Sequence, residues 1–331
     1  MSSTQLQRSA VAAFVALVAV LLASCAGGTA TPAATSPGPE RVVKTGQGDV
    51  TVPADPKRIV VLNFALAGYL YAMDVPVLAT IPEDADAKEG VFSPFWAEDA
   101  KADGTVFLPW SSDGFAIEEI LALEPDLIIG GGQGFPLAQA VKAYDQLSAI
   151  APTVLVGNEL RSWQDQFSFL AEQVFDRGDR YAERLAGYQD RIAEVKAKIT
   201  PPPGPVGYLS FTSDQRPFGI VEDFGLPQEL AQLGFEPAPF FADNDFETYG
   251  GAGDMFEISP ELIDRAVTMP TVFVLGFNAE TIKVEDLAKS PIYARLPSFK
   301  NDHAYHLPYW ALRADYHETM ALLDTLEEQF S

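Results

Sequence analysis

The chain has one cysteine in 331 residues, Cys25, so no disulfide can form within it. Histidine is almost as scarce, with only His303, His306 and His317. A carrier of free metal ions would need these imidazoles together. The HAYHL segment holding the first two reads as a strand, where residues an odd number apart point to opposite faces. Basic residues are few: 22 Lys and Arg stand against 46 Asp and Glu, a formal net charge of -24. Phosphate recognition needs basic patches, so this balance excludes nucleic acid and an anionic membrane surface as main partners. Catalytic signatures are missing as well, with no G-x-S-x-G, no H-E-x-x-H and no nucleophile-base spacing. The glycine-rich stretch GGGQGF at residues 130–135 lacks both the P-loop lysine and the third glycine of a dinucleotide fingerprint. It is either a strand end with exposed amides, open to a ligand, or a plain turn.

Composition is that of a globular protein, 47% hydrophobic and 21% charged, with length for two ordinary domains. The amino terminus is of another kind. Arg8 precedes an apolar run over residues 10–22 that is too short to span a bilayer comfortably. Leu22-Ala23-Ser24-Cys25 then has the branched-small-small-cysteine order of a bacterial lipoprotein cleavage site, which would make Cys25 the lipidated first mature residue. The alternative is an ordinary signal peptide with an incidental cysteine. Residues 26–40, small, Pro-rich and nearly uncharged, suit a flexible tether. No later stretch is apolar for long enough to be transmembrane.

Near the middle of the mature chain, Tyr181, Leu185, Tyr188, Ile192, Val195 and Ile199 alternate by four and three, the stripe of an amphipathic helix. Asp176 or Asp179 can cap its start, and TPPPGP at residues 200–205 cannot continue it. At 1.5 Å per residue it is roughly 30 Å long, suited to a strut between two lobes. Before it, short apolar runs at residues 59–64, 75–80, 125–129 and 153–156 alternate with helical stretches at 65–74, 117–123 and 137–148. A long loop spans residues 81–113, and Phe167, Leu170 and Val174 form the apolar face of the helix entering the strut. The rhythm returns afterwards. Strands are predicted at 205–211, 271–275 and 304–307, with helices at 227–233, 256–266, 284–288, 292–296 and 316–330. The expectation is an α/β protein of two lobes joined by one long helix, with a cleft between them. Its parts are a signal peptide (1–24), a tether (25–40), a first lobe (41–176), the linking helix (177–200) and a second lobe (201–331).

Five segments carry a family resemblance: PKRIVVLN at residues 56–63, IEEILALEPDLII at 117–129, YDQLSAIAPTVLV at 144–156, EISPELIDRA at 257–266, and SPIYARLPSFKNDHAYHLP at 290–308. In this order they resemble the substrate-binding lipoproteins of ATP-binding-cassette importers for ferric siderophores, haem and cobalamin. The resemblance implies the two-lobed fold on a helical backbone, with ligand in a shallow, largely preformed cleft. It also implies no catalysis, no resident cofactor, and a monomer anchored by lipid on the outer face of the membrane, with a permease and its ATPase as partners. One glutamate on each lobe meets permease arginines in that family, and by motif position these match Glu118 and Glu261. The alternative is that both are ordinary helix-start acids.

Ligand-facing residues follow no motif and are inferred from strand ends and loops. Large, oxygen-rich iron chelates suit aromatic walls with a few arginines. Trp110, Arg216, Phe218, Trp310 and Arg313 occupy such places, followed by Phe64, Trp96 and Tyr249. The cleft loops offer only Arg161, Arg216 and Arg313 as evident cations, which leans towards hydroxamate or mixed-donor chelates over anionic catecholates. Haem ligated by tyrosine or histidine stays open.

Overall fold

The computed structural model describes residues 38–331 except 86, 88, 251–252 and 278–281. Cys25, the apolar run before it and nearly all of the expected tether lie outside the described residues. Residues from Pro39 to Ser331 form one compact unit. No helix among the described residues is long and apolar enough to cross a membrane.

Two five-stranded sheets are built from successive halves of the chain. The first runs in the order Val106–Phe107, Ala79–Thr80, Ile59–Val61, Leu127–Gly131, Thr153–Val156, parallel throughout. Its strands are short continuous apolar runs with every residue of Ile59–Val61 and Leu127–Gly131 buried, as expected where helices cover both faces. The second runs Met255–Glu257, Pro217–Ile220, Val206–Phe211, Thr271–Gly276, Ala304–His306. Its last three strands are parallel, whereas Val206–Phe211, Pro217–Ile220 and Met255–Glu257 pair antiparallel. The two halves therefore differ. The connection from Phe211 to Pro217 is a tight turn, with the Thr212 amide on the Arg216 carbonyl, and is too short for a parallel crossover.

The strut is a helix from Gly178 to Lys198. It has no side-chain cap at Arg177; Asp176 instead pairs with Arg41 at 3.6 Å, and Asp179 lies within the first turn. Tyr188 and Val195 are fully covered, and Tyr181, Leu185 and Ile192 pack partly buried beside them. The strut is not the sole brace. The closing helix Tyr316–Phe330 lies along it, with Arg191 reaching Asp324 and Glu327 at 2.6 Å each, and Lys198 reaching Glu327 at 2.7 Å. Its first turn docks on the first half. Asp315 caps the helix in a capping box with Glu318, accepts from Trp96 Nε1 at 2.7 Å, and Glu318 accepts from Ser93 at 2.8 Å. One apolar core accordingly runs from Val43 to Phe330 through both halves.

Several local expectations change. A hairpin, Glu40–Thr45 with Gly48–Pro53, precedes the first lobe and buries Val43 and Val52; its polar alternation hid it beside the tether. The loop over residues 81–113 contains the helix Ala97–Asp103 and the short strands Val106–Phe107 and Trp110–Ser111. Residues 137–148 are two helices, Phe135–Lys142 and Tyr144–Ser148, rather than one. The helix expected over 256–266 is a strand, Met255–Glu257, then a single turn, Ile263–Ala266. Pro260 keeps the residue before it out of the helical region, and Phe256 is drawn into the sheet opposite Gly219. The piece expected at 292–296 is turns leading to the helix Pro297–Lys300.

Candidate ligand-binding cleft

Parallel strands of both sheets end at the same place, and the residues just past those ends line a cavity of about 230 Å³. Asn63 and Phe64 follow Ile59–Val61, Glu83 follows Ala79–Thr80, and Gln133 and Gly134 follow Leu127–Gly131. From the second half come Phe277 after Thr271–Gly276, and Trp310 and Arg313 in the 3-10 turn Tyr309–Arg313 after Ala304–His306. Crevices at the carboxyl ends of parallel strands are the usual ligand positions in open α/β sheets.

Asn63 sets the floor. Its Oδ1 accepts from the Ala65 amide and starts the helix Phe64–Ala72, while its Nδ2 donates to the carbonyls of Gly131 and Gln133 at 2.7 and 3.1 Å. The glycine loop is thereby tied to the helix opposite. Gly134 is required there: its φ is +77°, and a Cβ would lie 2.7 Å from Arg313 Cζ. The loop makes room for the arginine of the other lobe. Arg313 donates through Nε to Asp254 at 2.8 Å and through Nη2 to Met255 Sδ at 3.4 Å.

Aromatic rings form the walls. Trp310 meets Phe95 of the first half edge-on at 5.1 Å, bridging the rim. Trp110 lines the cavity, held by its indole nitrogen on the Pro82 carbonyl at 2.8 Å and lying 6.4 Å from Phe135. Tyr249, 44% exposed, stands over Phe218 and Phe277 at 5.0 and 6.2 Å. Glu83 and Glu318 also face the cavity. Burial pushes the Glu83 carboxyl up to about 7, Asp84 adds to the rise, and Arg313 opposes it. Burial likewise raises Glu318 well above its ordinary range, with Asp315 adding to the rise.

Of the residues picked out from sequence, Phe64, Trp110, Tyr249, Trp310 and Arg313 come together on this cavity. Three do not. Trp96 is 1% exposed, packed on Phe64 and Tyr71 at 4.9 and 5.1 Å with its N–H on Asp315, so it joins the lobes beneath the cleft. Phe218 is equally buried and supports Tyr249 from below. Arg216 is half exposed and paired with Glu257 at 2.9 Å, away from the cavity lining. Arg161 also lies off the lining, paired with Asp223 and stacked 4.5 Å over Phe224. Sequence reasoning passed over Asn63, Glu83, Gln133, Asp254 and Phe277. Position within three residues of a strand end would have found Asn63, Glu83 and Phe277.

A second cavity of about 240 Å³ lies on the other side of Gln133 and Arg313, lined by Trp163, Gln164, Glu229 and Gln232 among others. The Glu229 carboxylate is buried there, accepting from Tyr188 of the strut and from Trp163, Gln164 and Gln232 at 3.2–3.3 Å. Its pKa is raised by burial, which those donors oppose. The cluster ties first lobe, strut and second lobe together.

Glu118, in the first turn of Ile117–Ala122, and Glu261, just before Ile263–Ala266, are both exposed and make no ion pair among the described residues. His303 and His306 flank and end the strand Ala304–His306, and His317 sits in the first turn of the closing helix. Among the described residues no three His, Cys, Asp or Glu side chains are grouped to hold a metal ion.

The comparisons agree with this geometry. The solved structure of holo-ViuP superposes with a TM-score of 0.75 at 21% identity, covering 88% of this chain and 95% of that one. The ferric enterobactin-binding periplasmic protein FepB of Escherichia coli O6:H1 is 30% identical over 295 residues, 88% of this chain and 91% of its own. The putative ABC transporter substrate-binding lipoprotein YhfQ of Bacillus subtilis is 26% identical over 324 residues, 95% of each chain. The model of the periplasmic binding protein family matches residues 76–309, from the end of the first helix to the aromatic rim of the cleft, and the chain belongs to that family.

Proposed function

We propose that this protein captures a ferric siderophore outside the cell membrane, held through a lipid on Cys25, and delivers it to the permease of an ATP-binding-cassette importer. The carrying observation is the cleft itself. It is walled by Phe64, Trp110, Tyr249 and Trp310 with Arg313 fixed at its base, on a two-helix brace that holds both lobes in place. Aromatic faces and one oriented guanidinium suit a bulky chelate with an apolar skirt and oxygen donors. A preformed site loses little free energy to ordering, which favours tight capture at low ligand concentration. The relatives support the reading, one named for ferric enterobactin and another as an importer's substrate-binding lipoprotein. The leader order before Cys25 supports the anchor.

Tryptophan fluorescence tests this. Trp110 and Trp310 border the cavity, so ferric siderophores from a mixed panel are expected to quench emission saturably. Trp310→Ala is expected to weaken the bound chelate about tenfold or more, as loss of a central aromatic anchor does. Quenching only by haem, with a Soret band on the purified protein, or only by cobalamin would replace the siderophore as ligand.

A further inference from the structure

Among the described residues, charge along the cleft leaves no positive excess. Arg313 is the only cation among the described residues lining the cavity, and Asp254 already takes its Nε at 2.8 Å. Glu83 and Glu318 face the same space, and neither has an ion-pair partner among the described residues. The other arginines near the cleft loops are engaged elsewhere, Arg161 with Asp223 and Arg216 with Glu257. Glu83 reports on the local potential: burial, with Asp84 beside it, pushes its carboxyl up to about 7 in spite of Arg313. A place that disfavours negative charge on its own carboxyl disfavours it on a guest as well.

Ferric siderophores differ sharply in charge. Three singly charged hydroxamates cancel a ferric ion, and an added ammonium makes the complex cationic. Three doubly charged catecholates leave a trianion. Desolvating a trianion in a cavity of low dielectric requires cations, and the described lining supplies only Arg313, already paired with Asp254. A neutral or cationic chelate meets aromatic side chains that welcome it, Tyr249 exposed and Trp310 partly buried at the rim.

Resting on the siderophore-binding reading above, we propose that the cleft sorts ferric chelates by net charge, accepting neutral and cationic trihydroxamates and rejecting trianionic tris-catecholates through Glu83 and the Asp254-neutralised Arg313. The test is a fluorescence titration at low salt and about pH 8, where Glu83 is largely ionised, with ferrichrome, ferrioxamine B and ferric enterobactin as probes. Both trihydroxamates are expected to bind at least about a hundredfold more tightly than the tris-catecholate. Glu83→Gln removes a charge without breaking an ion pair, and is expected to shift the ratio of ferric enterobactin to ferrichrome affinity about tenfold towards the trianion. Asp254→Asn, which releases Arg313, is expected to shift it the same way. Circular dichroism on each variant identifies any that fails to fold, and the wild-type ratio stands without them. Ferric enterobactin binding as tightly as ferrichrome, or a ratio unmoved in both folded variants, would overturn charge sorting and leave the siderophore reading standing. Failure of all three chelates to bind would refute that reading itself, and this proposal with it.

Discussion

Replacing Glu118 and Glu261 together by alanine is expected to abolish uptake of radiolabelled ferric siderophore by cells, while the purified variant binds its chelate with unchanged affinity. Each carboxylate is exposed and unpaired among the described residues, one on each lobe, and neither lines the cleft. Each has an exposed leucine nearby, Leu121 at 52% and Leu262 at 38%, so an acidic contact and an apolar one recur on both lobes. Two separated point charges fix orientation as one cannot, and steer encounter with a basic partner surface. Single substitutions should therefore lower uptake only in part. Folding stability should change by less than about 0.5 kcal/mol, as for most surface sites. Normal uptake by the double variant would remove both residues from the docking role.

A second large effect is expected far from any ligand contact. Gly68 lies in the helix Phe64–Ala72 against the Asp315 carboxylate, and a Cβ there would stand 1.7 Å from Oδ2 and 2.7 Å from the Asp315 Cβ. Asp315 cannot yield, since it caps the closing helix and accepts the Trp96 indole proton. Gly68→Ala is expected to prevent folding or to lower the urea midpoint drastically. Asp315→Ala loses a cap worth about 1 kcal/mol and leaves a buried indole N–H unpaired, a further 1–3 kcal/mol, so about 3 kcal/mol in all. That is a large share of a typical domain's stability, about 5–15 kcal/mol. The same residue gives stability a pH signature. Burial pushes its carboxyl from the ordinary 3.8 up to about 6. The folded state then holds a proton that the unfolded chain releases, so this contribution is fully present below pH 4 and lost as pH rises through about 6. Asp315→Asn should flatten the stability profile between those limits. An unchanged slope would show that the carboxyl titrates normally.

The sequence was most legible where local chemistry decides structure. The strut showed in the four-three alternation from Tyr181 to Ile199 and in the prolines after it, and the closing helix in its periodicity up to Phe330. The parallel strands at the heart of both sheets showed as short apolar runs, because strands buried on two faces need nothing else, whereas Val106–Phe107, Pro217–Ile220 and Met255–Glu257 did not. Aromatic residues in loops were another matter. Trp96, Trp110 and Trp310 are equally plausible cleft residues in sequence, and their fates depend on partners far along the chain. Trp96 is fixed by Asp315, 219 residues away, and that carboxylate makes it a joint between lobes. Arg216 and Arg313 look alike in sequence too. Arg313 enters the cleft because Gly134 vacates space for it and Asp254 waits beside it, whereas Arg216 at a hairpin turn finds Glu257 on the neighbouring strand. The antiparallel edge of the second sheet was hidden because a five-residue turn leaves no compositional mark. The second brace was hidden because nothing local in the closing helix says which surface it will cover.

The most direct test of the cleft as a braced, preformed receptor is a crystal structure of the full mature protein grown with ferrichrome. The expected result is the chelate lodged between Trp310 and Trp110 with Arg313 in contact, and with the helices Gly178–Lys198 and Tyr316–Phe330 still paired through Arg191. A chelate bound outside this cavity, or lobes swung together with those two helices separated, would contradict it.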